Sequence, residues 1–157
     1  MPVNPEAEFA IRRAEPADLD QLLVLYRELN PADPELTADT ARTAYSEMLA
    51  HPGLSIFLAC VDDSAVSTAT LLIIPNLTRG TRPYALVENV VTLEAQRGKG
   101  YARAVIKRAI DVAFAAGCYK VMLLTGRQRE DIHRFYQSCG FVQNKTGFQI
   151  RNDCSLT

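Results

Sequence analysis

The order of strand-like and helix-like segments predicts an α+β protein whose sheet begins antiparallel and ends with a parallel pair of strands. Three observations carry this. Residues 55–61 (SIFLACV) and 65–74 (AVSTATLLII) are apolar, β-rich runs separated by little more than Asp62-Asp63, the spacing of a hairpin. Residues 85–92 (ALVENVVT), a helix-periodic stretch ending near Ala116 and the apolar residues 120–125 (KVMLLT) form a strand–helix–strand crossover, which sets two strands parallel. Two amphipathic segments near the N-terminus precede these strands instead of alternating with them.

Taken in order, residues 9–13 (FAIRR) alternate as a short strand. A helix follows, with Pro16 suited to its first turn and Leu19, Leu22, Leu23, Tyr26 and Leu29 on one face. Residues 30–34 (NPADP) form a loop. Residues 37–50 are a second, weaker helix, stopped by Pro52 and Gly53. After the hairpin comes a polar loop, residues 76–83, and then the strand at 85–92. The long helix carries apolar residues at Ala102, Val105, Ile106, Ala109, Ile110, Ala113 and Phe114, and Gly117 is placed to cap it. Residues 120–125 are apolar enough for a strand covered on both faces. Residues 130–138 form a last helix, and strands are expected around 141–142 and 148–151.

Composition narrows the function classes. The 157 residues fit one domain by length. A net charge of −1 gives no global field to recruit nucleic acid or a membrane surface, so any anion site must be local. Apolar runs such as residues 71–75 fall far short of a membrane span, and the acidic, proline-bearing start has neither the basic nor the apolar region of a secretory signal. A cytoplasmic setting is expected. Cys60, Cys118, Cys139 and Cys154 form no CxxC, and His51 and His133 stand at no zinc-like spacing, so thiols in a reducing compartment are expected and no metal.

The chemistry is concentrated at the mouth of the long helix, residues 96–109 (QRGKGYARAVIKRA). Gly98 and Gly100 allow left-handed backbone and expose successive N–H groups, and the helix dipole adds positive potential there. Arg97, Lys99 and Arg103 add cations, which suits a diphosphate. The stretch lacks the Walker pattern GxxxxGK(S/T), and Arg103 stands where GxGxxG needs its third glycine. A glycine pair before a helix is by itself weak evidence, because such turns are often only structural.

Three ordered blocks resemble the GNAT family of N-acetyltransferases. Arg97-Gly98-Lys99-Gly100-Tyr101-Ala102 reads as its acyl-CoA signature (Q/R)xxGx(G/A), between a strand and a long helix. Residues 132–141 (IHRFYQSCGF) resemble its FYxxxGF block, and residues 11–26 (IRRAEPADLDQLLVLY) its first strand and helix. The resemblance implies a single domain over residues 1–157, with a mixed, mostly antiparallel sheet, a parallel strand pair that splays apart, and helices on both faces. It implies acetyl-CoA as acyl donor. The pyrophosphate would lie on the amides of Gly98 to Ala102, and the pantetheine arm would pair with Val90, Val91 and Thr92. One departure stands out: where many members carry Asn in NxxAxxFY, this chain has Arg129, with Ile132 at the Ala position.

Acetyl transfer to an amine needs a base, oxyanion support and an acid for the leaving thiolate, with no acyl-enzyme required. The family match puts the Tyr136 hydroxyl near the CoA sulfur as the acid; the other reading is a core tyrosine, and Phe135 beside it is packing. Glu88 is the candidate base, because a carboxylate in an apolar strand is costly to bury unless it is paired or functional. A structural pairing of Glu88 with an arginine is the competing reading, and Asn89 is assigned a structural role. His133 flanks the apolar face of its helix, Cys118 and Cys139 have no adjacent activating group, and Lys107 and Arg108 form a solvated face.

Two functions stay open: an N-acetyltransferase working by direct transfer in a ternary complex, and a GNAT-like module that senses acyl-CoA without turnover. Transfer to an oxygen nucleophile is a smaller third. The acceptor is an amine of small-molecule or peptide origin, and the resemblance allows a homodimer.

Overall fold

The computed structural model describes residues 9–152. The start of the chain up to Glu8, on which the reading of the N-terminus rests, and Cys154 lie outside the described residues. The chain divides into two compact units, Met1–Leu123 and Leu124–Thr157.

The first unit is built on one five-stranded sheet. Strands β1 (Phe9–Arg13), β2 (Leu54–Val61), β3 (Ser64–Ile74), β4 (Tyr84–Thr92) and β5 (Val121–Met122) lie side by side in that order. The first three pairings are antiparallel and β4–β5 is parallel. The β2–β3 hairpin closes on Asp62 and Asp63 at φ 46° and 63°. Two successive left-handed residues give a turn whose twist matches that of the strands, and aspartate tolerates this region better than most residues.

Helices α1 (Leu19–Leu29) and α2 (Ala38–Ala50) cover one face of the sheet, and α4 (Tyr101–Ala115) covers the other; α3 (Thr78–Thr81) is a single irregular turn. Along β2 the alternation is clean. Phe57 and Ala59 pack toward Tyr101, Val105, Ala109 and Ala113 of α4, while Ile56, Leu58 and Cys60 pack toward Leu22, Leu25 and Tyr45. Because both faces are covered, the strand reads as a continuous apolar run. Each large side chain taken out of water in this way stabilises the fold by roughly 2 kcal/mol.

The segment entering α1 is tied by charge. A 3-10 turn at Pro16–Asp18 precedes the helix, and buried Asp18 accepts two bonds from the Arg12 guanidinium (2.6 and 2.7 Å) and one from the Glu15 N–H (2.7 Å). The Arg12 guanidinium, with the Glu15 N–H helping, holds the Asp18 carboxyl below the usual carboxylate range against the opposing effect of burial. Tyr45 donates from its hydroxyl to the Glu15 carbonyl (2.6 Å), and burial pushes that phenol up to about 12.

Most predicted elements fall within a residue or two of their expected bounds. Three expectations do not hold. Phe114, placed on the apolar stripe of α4, is 56% exposed. The strand expected at 120–125 is paired only at Val121 and Met122, both half-buried: it borders the sheet with one neighbour, and Val121 and Leu123 pack against the core on the α4 side. Residues 141–152 of the second unit, which holds α5 (Glu130–Ser138), form no strand. Their apolar side chains Val142, Phe148 and Ile150 are 74%, 92% and 99% exposed, so no buried face pulls them into a ladder.

Candidate active site

The site begins with an irregularity in β4. Thr70 pairs with Glu88 and Thr68 with Val91, so two steps along β3 match three along β4. The extra residue makes a bulge at Asn89, whose φ of 51° is left-handed. The bulge inverts the alternation: Ala85 and Val87 face α4, whereas Val91 faces α1. It is held from β3, where buried Ser67 donates to the Val91 carbonyl (3.1 Å) and meets the Thr92 hydroxyl (2.8 Å).

On its other side β4 pairs with β5 only at Ala85↔Val121 and Leu86↔Met122. From Val87 to Thr92 that edge has no strand partner among the described residues, so its main-chain groups stand open for an extended ligand. Val90, Val91 and Thr92, the residues expected to pair with such an arm, lie on this stretch. The carbonyls of Val91 and Thr92 already accept protein donors, from Ser67 and from Arg97 Nε (3.3 Å).

At the end of β4 a 3-10 turn, Glu94–Gln96, leads into the glycine loop. Gly98 and Gly100 take φ of 77° and 85°, and Gly100 caps α4, where its carbonyl receives the first helical bond from Ala104 N–H (3.0 Å). The N–H groups of Gly98, Lys99, Gly100, Tyr101 and Ala102 find no backbone acceptor among the described residues. Among the described residues, no atom beyond the adjoining residues lies within 4 Å of where a Cβ would stand on either glycine. Unpaired amides at a helix N-terminus around open space are an anion cradle, and this one suits the diphosphate of an acyl-CoA. Tyr101 contributes only its amide: its ring is buried and meets Phe9 edge-on at 4.9 Å.

The side chains around the cradle are less uniform than their charges suggest. Arg97 turns its guanidinium to Glu28 (3.3 Å) and to the Thr92 carbonyl, and Lys99 donates to the Gln96 side-chain oxygen (2.8 Å). Arg103 is exposed on the first turn of α4. Glu28 was missed by sequence reasoning, its only local sign being a carboxylate close to the apolar face of α1.

Glu88 is solvent-exposed, contrary to the burial expected from its apolar strand. Its cross-strand partner Thr70 lies under Tyr26 of α1 (3.5 Å between hydroxyls), so Glu88 is on the α1 side of the sheet. Tyr26 is a half-buried phenol on that face, its pKa raised by desolvation although Thr70 opposes the shift. Cys118 is buried in the α4 core, and burial raises its thiol, which suits packing rather than attack.

In the second unit, α5 ends on Cys139, with Gly140 at φ 98°. Gly140 N–H bonds the Gln137 carbonyl (2.9 Å) and Phe141 N–H the Tyr136 carbonyl (3.2 Å), the paired bonds of a Schellman stop. The Phe141 ring folds back against Tyr136 at 6.3 Å, edge-on, and Phe135 meets it at 5.2 Å. The FYxxxGF spacing thus has a physical reason: it stops the helix and fixes the tyrosine ring between two aromatics. His133 is half-buried, with Nε2 donating to the Arg127 carbonyl (2.9 Å), and Arg129 forks onto Asp131 (2.7 and 3.0 Å). The structure brings Glu88, the β4 edge and the cradle together in the first unit; Tyr136 belongs to the second.

Residues 20–141 match the model of the acetyltransferase (GNAT) family. The chain belongs to that family. Two relatives are glucosamine 6-phosphate N-acetyltransferases, one from Trypanosoma brucei brucei (31% identical over 134 residues, 85% of this chain and 89% of the relative) and one from Oryza sativa subsp. japonica (31% over 140 residues, 86% and 82%). A solved structure from Agrobacterium tumefaciens str. C58, assigned as an acetyltransferase, is 63% identical, with a TM-score of 0.88 over 90% of this chain and 99% of that one. The mixed sheet with its parallel β4–β5 pair is thus the fold of a GNAT acetyltransferase.

Proposed function

We propose that the protein moves an acetyl group from acetyl-CoA to an amine by direct transfer in a ternary complex, the whole chain acting as one acyl-CoA domain. The observation that carries this is the row of unpaired amides from Gly98 to Ala102 beside the open edge of β4. The donor supplies an activated thioester. The chain's part is to bind the diphosphate on the cradle amides, align the arm along residues 90–92, and hold the acyl carbon against the amine, so that proximity lowers most of the barrier.

Tyr136 is the proton donor for the departing thiolate in this reading, its ring fixed by Phe135 and Phe141. Glu88 takes the amine proton; being exposed, it does so through water. No nucleophile on the chain is needed, in keeping with the buried Cys118.

The relatives at 31% identity make an amino sugar phosphate the first acceptor to try. The test is release of free CoA thiol from acetyl-CoA in the presence of glucosamine 6-phosphate, then of a panel of amino acids, polyamines, aminoglycosides and peptide N-termini. Acceptor-dependent thiol release with one acetyl amide formed per thiol supports the reading. Tight acetyl-CoA binding without turnover on any amine would replace it with an acyl-CoA sensor.

A further inference from the structure

Glu28, near the end of α1, reaches across to the loop that carries the cradle. Its Oε1 accepts the Glu94 N–H (2.8 Å) and the Arg97 guanidinium (3.3 Å), and the same guanidinium donates through Nε to the Thr92 carbonyl (3.3 Å). One carboxylate oxygen therefore gathers the end of β4, the 3-10 turn and the first residue of the glycine loop. Among the described residues, Glu28 is the one side chain from outside residues 93–100 that hydrogen-bonds that stretch.

The loop needs such a tether. Gly98 and Gly100 are the residues with most conformational freedom to lose, and their amides have no backbone acceptor among the described residues. An anion gains full affinity from those amides only if they already converge, since ordering them on binding would subtract from it. Arg97 cannot serve two masters well: engaged by a main-chain carbonyl and a carboxylate only 26% exposed, its charge is largely balanced within the protein.

We propose that Glu28 is a positioning residue for acyl-CoA binding. It acts through Arg97 and the Glu94 N–H, holding residues 92–97 so that the cradle amides point at one diphosphate. The inference rests on the acyl-CoA reading above. It assigns the charge of the signature's first residue, Arg97, to the loop rather than to the ligand, and it links α1 to the donor site.

The test is calorimetric titration of CoA into the wild-type protein, Glu28→Ala, Glu28→Gln, Arg97→Ala and the Glu28→Ala/Arg97→Ala double variant, with thermal unfolding of each. Loss of a charge-assisted tether should raise the Kd of Glu28→Ala about tenfold. Glu28→Gln, which keeps the Oε1 acceptor, should recover to within about threefold of wild type, and the double variant should bind about as well as Arg97→Ala alone. A folded Glu28→Ala within about twofold of wild type, with Arg97→Ala strongly weakened, would overturn the proposal and give Arg97 to the diphosphate directly. If Glu28→Ala fails to fold, Glu28→Asp decides on the same terms, since it stops one methylene short of both donors. Failure of the wild type to bind CoA at all would remove the acyl-CoA reading and this inference with it; normal wild-type binding with an indifferent Glu28 removes this inference alone.

Discussion

The two ends of α4 carry glycines in the same conformation and use them in opposite ways. Gly100 and Gly117 both have φ of 85°. At the C-terminal end, Gly117 N–H bonds the Phe114 carbonyl and Cys118 N–H the Ala113 carbonyl (both 3.0 Å), so the glycine ends the helix by filling orphan acceptors. At the N-terminal end, a glycine with the same dihedral stands among five successive N–H groups that have no backbone acceptor among the described residues. A left-handed glycine at a helix end is thus a stop when the neighbouring groups are satisfied, and leaves donors that a ligand could take when they are not.

The sharpest way to break this comparison is to substitute both glycines. Gly100→Val puts a branched side chain into the space before the amides and strains a left-handed position, so acetyl-CoA affinity should fall about 100-fold or more while the protein stays folded. Gly117→Ala should leave that affinity unchanged and lower stability by about 1 kcal/mol, read by urea denaturation. Equal loss of binding in both variants would mean that α4, not its mouth, is what the ligand needs.

The second unit extends the comparison to a third glycine. Gly140 closes α5 as Gly117 closes α4, but its stop also seats the Phe141 ring on Tyr136. Tyr136→Phe should reduce turnover about tenfold or more with little change in acetyl-CoA affinity, measured by steady-state kinetics beside calorimetry. Wild-type turnover in that variant would return Tyr136 to packing.

A smaller effect separates charge used for structure from charge held for a ligand. Arg12 is spent on buried Asp18, and the resulting depression of the Asp18 pKa makes a signed prediction. Stability from this pair is fully present above the ordinary carboxylate range and is lost as pH falls through the depressed value. Asp18→Asn should cost about 2 kcal/mol at pH 7, and its stability should change less than that of wild type on acidification from about pH 4 to 2. Urea titrations across that interval give the answer.

What was legible in the sequence was what local pattern encodes. The hairpin at Asp62-Asp63, the helix over residues 130–138 and the glycine mouth of α4 all follow from spacing and residue type. The bulge at Asn89 was not, because one inserted residue in an apolar strand leaves no trace in its alternation until the partner strand is known. Glu88, expected buried, is exposed because an apolar run does not show which of its positions the helices leave uncovered. Glu28 and Arg97 are 69 positions apart, so no local signal could join them. The strands expected at 141–142 and 148–151 failed in the other direction: β-favouring residues were present, but no face covers them.

The most direct test of the central claim, that the open amides of Gly98 to Ala102 hold an acyl-CoA, is calorimetric titration of the whole protein with acetyl-CoA, with ATP and NAD as controls. One site of roughly micromolar affinity for acetyl-CoA, with neither control binding comparably, is the result this account predicts. No heat from acetyl-CoA, or equal binding of ATP and NAD, would contradict it.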